Sequence, residues 1–423
     1  MFYLLFIFYF FLFCWLISRL KFFSKSGLSS KILITLFLLR VIASLVSNYF
    51  NYYYYPLSDP LSFHNYGIEE YNLLFSNPRQ YLINIFIDTR SNNYSGFFGT
   101  SNSFWNDARS NVIIKLLSIF DIFSGKNFFI NCLFYNFLVF FGSVALFKVF
   151  IKIFKKSLFA LIICIFLLPS ALFFSSMLHR DGLILLSLSM VIYNLFFILN
   201  ENKFSWKRLV VILFFLLMIL ALRNFVFITL IPALLAWIIA HYKPKIAFIS
   251  FLSVYSFIAI VFFSSGFISE KINLPRYVSE RQNAFNEIAE ESSSSININP
   301  LLPEFKSFVV NAPQALNHSL MRPYIWEMNN PLYIPFIVEI VLFEILFILF
   351  IFFRSKNANV HPLIYFCIFF SATMFLVIGY TIPIIGAIVR YRSIYFIFLV
   401  IPIVCYMDWK KLILKLSISF KKI

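Results

Sequence analysis

Long apolar runs alternate along this chain with short polar breaks. A crossing of the roughly 30 Å hydrocarbon core needs about 20 apolar residues. On that template the sequence predicts eleven helices, at 2–18, 32–50, 127–147, 157–177, 183–199, 209–222, 225–241, 246–264, 332–353, 361–380 and 393–407. Met1–Leu16 has no basic stretch before it and no small-residue cleavage site after it, so it reads as a first span. The run at 209–222 is short, which leaves the count at ten to twelve. The predicted fold class is all-α, a polytopic transmembrane helix bundle of about eleven spans, with 1–423 as a single integral membrane domain. Two polar stretches are long, 51–126 and 265–331, and the second holds the serine-rich Glu291–Ser295, read as a flexible turn. No internal repeat suggests the inverted halves of secondary transporters.

Composition agrees with the pattern. The chain is 61% apolar and 13% charged, with a mean hydropathy of +0.86, whereas soluble domains run near half apolar and about a quarter charged. Disorder, a coiled coil and a soluble enzyme are excluded. The 60 phenylalanines suit lipid-facing positions and fit a codon bias toward Phe, Ile, Asn and Lys. Cys14, Cys132, Cys164, Cys367 and Cys405 lie in apolar runs with no metal-ligand spacing.

The net charge of +17 would suggest nucleic acid in a soluble protein. Sorted by interval it means something else. Segments 19–31, 148–156, 200–208, 242–245, 354–360 and 408–423 hold 20 Lys and Arg against two acids, Glu201 and Asp408. The rest of the chain holds 15 basic and 16 acidic residues. That is the positive-inside pattern, so the expected topology has the N-terminus outside, the C-terminus cytoplasmic, and both long loops outward. No nucleic-acid partner is expected.

The outward loops carry the candidate chemistry. Tyr52–Tyr55 reads as an interface anchor. Asp59 is either an exposed turn former before Pro60 or a carboxylate in a membrane-level cavity, where burial would raise its pKa toward that of a general base. His64, Glu69 and Glu70 are lesser candidates. From Trp105 to Leu117 the apolar positions recur at helical spacing, which predicts an interfacial helix, a groove floor or a plain anchor. His179-Arg180-Asp181, between two spans, is either a hairpin turn or a diphosphate clamp, because guanidinium forks match phosphate oxygens. Arg223, Arg322, Arg390 and Arg392 add cations near the same surface, the last two just before the final span in a segment with Pro383 and Gly386 that reads as re-entrant. Arg40, mid-span, needs shelter, and a pair with Glu339 or Glu344 would give it; proton or ion coupling is the functional alternative. Asn93-Tyr94-Ser95 and Asn317-His318-Ser319 fit the glycosylation pattern by chance in a bacterial-looking chain.

A first outer loop with an Asp, an interfacial helix and then a Pro- and Ser-containing turn with Arg180-Asp181 before the next helix resembles the GT-C class of polytopic glycosyltransferases over roughly 32–240. It is also similar to the repeat-unit polymerases of bacterial surface polysaccharides, to which the large second loop is closer. The resemblance implies an inner-membrane enzyme acting on polyprenyl-diphosphate-linked sugars at the outer face, with membrane lipid and envelope-biosynthesis proteins as partners. It implies that Asp59 stands for the first-loop acid, as base or metal ligand, and that Arg180 contacts lipid phosphate. The arginines of such polymerases bind anionic lipid diphosphates. An extra helix before the first loop and the lack of an Asp-x-Asp depart from the GT-C pattern, so a divalent metal is left open and no other cofactor is indicated. The alternatives are a transporter or flippase of lipid-linked glycans and a structural envelope subunit.

Overall fold

The computed structural model describes residues 2–54, 58–84, 104–201, 205–268, 272–327, 331–355 and 360–420. Among these the chain is an all-α, multi-pass membrane protein with no strand beyond isolated bridges. The Asn93-Tyr94-Ser95 triplet and Tyr55 lie outside the described residues.

The helices are α1 (Phe2–Arg19), α2 (Lys21–Ser24), α3 (Ser30–Tyr54), α4 (Asp59–Ser76), α5 (Pro78–Ile83), α6 (Phe104–Ser124) and α7 (Phe128–Ile153). Then come α8 (Leu158–Ile162), α9 (Pro169–Ser176), α10 (Arg180–Glu201), α11 (Trp206–Leu222), α12 (Asn224–Tyr242) and α13 (Ala247–Ile268). The rest are α14 (Leu274–Glu290), α15 (Phe305–Met321), α16 (Ile334–Phe353), α17 (Pro362–Thr381), α18 (Ile385–Tyr406) and α19 (Trp409–Phe420).

Each of the eleven expected spans is helical, but they are not equal. Among the described residues nine are long and apolar enough to cross a membrane. The run at 157–177 is a broken span. A π-helical stretch at Ile163–Leu167 leads into Pro169, whose missing N–H cannot continue the ladder, and the axis bends by 45°. The run at 209–222 is the 17-residue α11, too short to be counted with the nine.

Polar residues set several helix starts. Asn77 accepts from the Gln80 N–H at the start of α5, Asn273 from Arg276 at α14, and His361 from Leu363 at α17. Proline at the first helical positions of α4, α5, α14, α16 and α17 follows from its fixed φ and its missing donor.

The expected single domain divides into two compact units, one of residues 1–152 and 171–227, the other of 153–170 and 228–423. In the first unit α4 packs on α6 and α10 on α11. The first long polar stretch is thus helical at both ends. The helix expected there forms, as α6, and it is a packed element. Ile113, Ile114 and Leu117 are buried, and so are Asn111, Lys115, Ser118 and Asp121, while Ile119 is exposed.

In the second unit α17 packs against both α15 and α18. The serine-rich stretch is no loose turn. The Ile296 N–H donates to the Pro383 carbonyl at 2.8 Å and the Ile385 N–H to Ser294 at 3.0 Å, pinning it to the start of α18. The last span begins eight residues earlier than expected, at Ile385, so Arg390 and Arg392 lie inside α18 and not in a re-entrant approach to it.

Candidate functional site

The site lies in the first unit, where α9 ends at Ser176 and α10 starts at Arg180. Two linking residues and the last residue of α9 are held by polar side chains from neighbouring helices. Asn48 of α3 accepts from the Leu178 N–H at 3.2 Å, and Asn136 of α7 donates to the Ser176 carbonyl at 2.8 Å. The Tyr135 hydroxyl donates to the His179 carbonyl. Gly182 allows this close approach, since a Cβ there would collide with the Tyr135 hydroxyl and the Ser175 carbonyl. Arg40 donates to that same carbonyl at 2.5 Å.

This frame fixes His179 between two carboxylates. Its Nε2 lies 3.0 Å from Asp59 Oδ2 and its Nδ1 3.0 Å from Asp181 Oδ2. Arg223 Nη2 donates to the other Asp181 oxygen at 2.5 Å. Residues from three separate parts of the chain thus form one line, Asp59–His179–Asp181–Arg223. Three of them are buried, with side chains 2%, 0% and 6% exposed for His179, Asp181 and Arg223. The line opens to the surface at Asp59, which is 55% exposed. Of the two readings of Asp59 from the sequence, the exposed position before Pro60 is the one seen. Its carboxylate sits at the first residue of α4, where the helix dipole favours negative charge. Each ring nitrogen of His179 thus lies within hydrogen-bond distance of a carboxylate oxygen, which fixes the ring from both sides.

Arg180, next in the chain, is half-buried. Its Nη2 donates to Ser110 of α6 at 3.3 Å, and its guanidinium lies over the Phe63 ring, 5.1 Å from the centroid. Arg223, a candidate cation from the sequence, pairs with Asp181 and balances the charge of that buried acid.

The other first-loop candidates do not join this line. His64 is buried, and its Nδ1 lies 3.3 Å from Asn131 Nδ2, which donates to Asp121 at 2.7 Å. Burial holds His64 down to about 4, so the ring is neutral at physiological pH. Burial also pushes the Asp121 carboxyl up, against the hydrogen bonds from Asn131 and Ser124 and the charge of Lys126. Glu69 is exposed. Glu70 is buried in an ion pair with Lys115 at 2.5 Å, and Lys115 also donates to the Tyr81 carbonyl at 2.8 Å. That cluster ties α4, α5 and α6 together.

Arg322, Arg390 and Arg392 belong to the second unit. Arg322 pairs with Glu327 at 2.5 Å. Arg390 is half-buried, with its guanidinium over the Tyr391 ring. Arg392 is fully buried and donates to the carbonyls of Ser319 and Arg322 at the end of α15. Glu339 accepts from the Ser170 N–H and hydroxyl, both at 2.9 Å, in place of the expected pair with Arg40. Glu344 is half-buried. Lys115, Asn131 and Asp121 were missed by sequence reasoning; the polar positions 111, 115, 118 and 121 on one face of α6 carried the signal. Among the described residues no cluster of three or more His, Cys, Asp or Glu is placed to hold a metal.

Comparison with family models, curated proteins and solved structures finds no match to this chain.

Proposed function

We propose that this protein is a membrane glycosyl-transfer enzyme that uses a polyprenyl-diphosphate-linked sugar at the outer face of a bacterial inner membrane. The carrying observation is the line Asp59–His179–Asp181–Arg223, a buried charge array with one open carboxylate end. Exposed Asp59 accepts the proton of the acceptor hydroxyl as that oxygen attacks the anomeric carbon. The bond to the diphosphate breaks, and its electron pair leaves with the phosphate oxygen. The proton taken up neutralises Asp59; until then His179 holds the carboxylate in place, Asp181 orients that ring and Arg223 neutralises Asp181 from behind, so the array is set before the reaction. Arg180, beside this pair in the chain, supplies the guanidinium for the departing diphosphate.

The test is to incubate the purified protein with lipid-linked oligosaccharide and follow chain growth or sugar release. Asp59→Asn, His179→Gln and Arg180→Ala should each abolish product at unchanged expression; full activity in all three would sink the assignment. One observation favours the alternative of a transporter or flippase, the broken span at Leu158–Ser176, since interrupted helices line many transport pathways. Movement of intact lipid-linked glycan across vesicles, with no new glycosidic bond, would select it.

A further inference from the structure

The turn between α15 and α16 carries a feature the glycosyl-transfer site does not use. Trp326 is 77% exposed and stacks on Tyr324, with ring centroids 4.7 Å apart and planes 26° from parallel. One indole face therefore rests on a ring and the other is open. The support beneath is polar and ordered. Asn317 donates to the Tyr324 hydroxyl at 2.6 Å, and the Arg322 guanidinium lies 5.0 Å from the Tyr324 centroid. Glu327 holds the turn closed, taking Arg322 on one oxygen at 2.5 Å and the Tyr324 N–H on the other at 2.9 Å.

An interfacial tryptophan anchor needs an amphipathic ring at the end of a span. It does not need a second ring stacked behind it or an ion pair bracing the turn. A charged pair beside lipid carries a desolvation cost. Neither α15 nor the Ile325–Glu327 turn belongs to a candidate span, which begins only at Pro331. A rigid, exposed aromatic face on a polar, braced turn matches one ligand class well. The C–H face of a pyranose is flat and apolar, and its hydroxyls point outward to polar neighbours.

We infer that Trp326 and Tyr324 form a stacking platform for a pyranose ring of a glycan, with Asn317, Arg322 and Glu327 bracing Tyr324 beneath it. The choice of ligand class rests on the glycosyl-transfer reading above.

Two measurements on the full-length protein in lipid nanodiscs decide it. In the first, the Trp326 share of the emission is taken as the difference between wild type and Trp326→Phe. Aqueous iodide should quench that share, and lipid brominated near the headgroup should leave it unchanged. Quenching by the brominated lipid would make Trp326 a membrane anchor and overturn the platform. In the second, binding is read on an array of bacterial-type oligosaccharides. Trp326→Ala should lose about tenfold in apparent affinity, the scale of one aromatic stack, and Trp326→Tyr should retain most of it. Equal binding by Trp326→Ala, or no array binding by wild type, overturns the proposal. Lost sugar stacking with transfer activity intact sinks the platform alone. Trp326-dependent glycan binding by a protein that transfers no sugar sinks the enzyme reading and leaves the platform standing.

Discussion

His179 bonds both carboxylates of the site, and its neighbours bear most of the stability at risk there. Removing one partner of a buried ion pair leaves the other charge uncompensated, at about 3–5 kcal/mol. Asp181→Ala should therefore lower the thermal midpoint of the detergent-solubilised protein sharply, because Arg223 is buried behind it. The double variant Asp181→Leu with Arg223→Met should recover most of that midpoint and still form no product. A double variant as unstable as the single one would refute the pairing argument. His64 gives a pH signature. Its folded value of about 4 lies below the ordinary 6.5. Between those values the unfolded chain binds the extra proton, so this contribution is fully present above 6.5 and is lost as pH falls toward 4. It amounts to about 3 kcal/mol at most. The raised carboxyl of Asp121 acts in the opposite sense, so the readout is the difference between wild type and His64→Gln. The variant's midpoint should fall less between pH 6.5 and 4.5. At this scale the sequence was informative in part. The adjacency of His179 and Asp181 was visible, and so was the exposure of Asp59 before Pro60. The pairing of Arg223 with Asp181 was not, since no local pattern links positions 42 residues apart.

Among elements, α4 and α6 matter most, because α4 presents both Asp59 and Phe63 to the α9–α10 link. Their close approach depends on Gly67, where an added Cβ would lie 2.9 Å from the Leu117 Cβ. Gly67→Val should cost about 1–3 kcal/mol of stability through overpacking. It should also reduce transfer activity without touching a reacting group, and an unchanged melting profile would show that the helices sit further apart. The apolar runs marked every span, since hydropathy is a local property. Helix α4 was harder to see. Its Asp59–Ser76 stretch mixes apolar with polar residues, and its buried face includes His64, Gly67 and Glu70, which follow no apolar period. On α6 the spacing predicted the helix but not the partners of its polar face, which are Glu70 and Asn131.

For the whole molecule, the one-sided distribution of basic residues makes a topological prediction. With Cys14, Cys132, Cys164, Cys367 and Cys405 replaced, a single Cys at Glu69 should react with a membrane-impermeant maleimide in intact cells. A Cys at Lys410 should react only after permeabilisation. Reversed labelling would invert the assignment and place the Asp59 site on the cytoplasmic side. Hydropathy reveals how many helices cross but not which of them pack together, and the division into two units was invisible for that reason. The division also has a consequence for the order of synthesis. The first unit is interrupted by residues 153–170, yet it is complete once residue 227 has emerged. Asp59, His179, Asp181 and Arg223 all precede that point. Domains fold as units during translation, so the ribosome can deliver a finished charge array while nearly half of the polypeptide is still unmade.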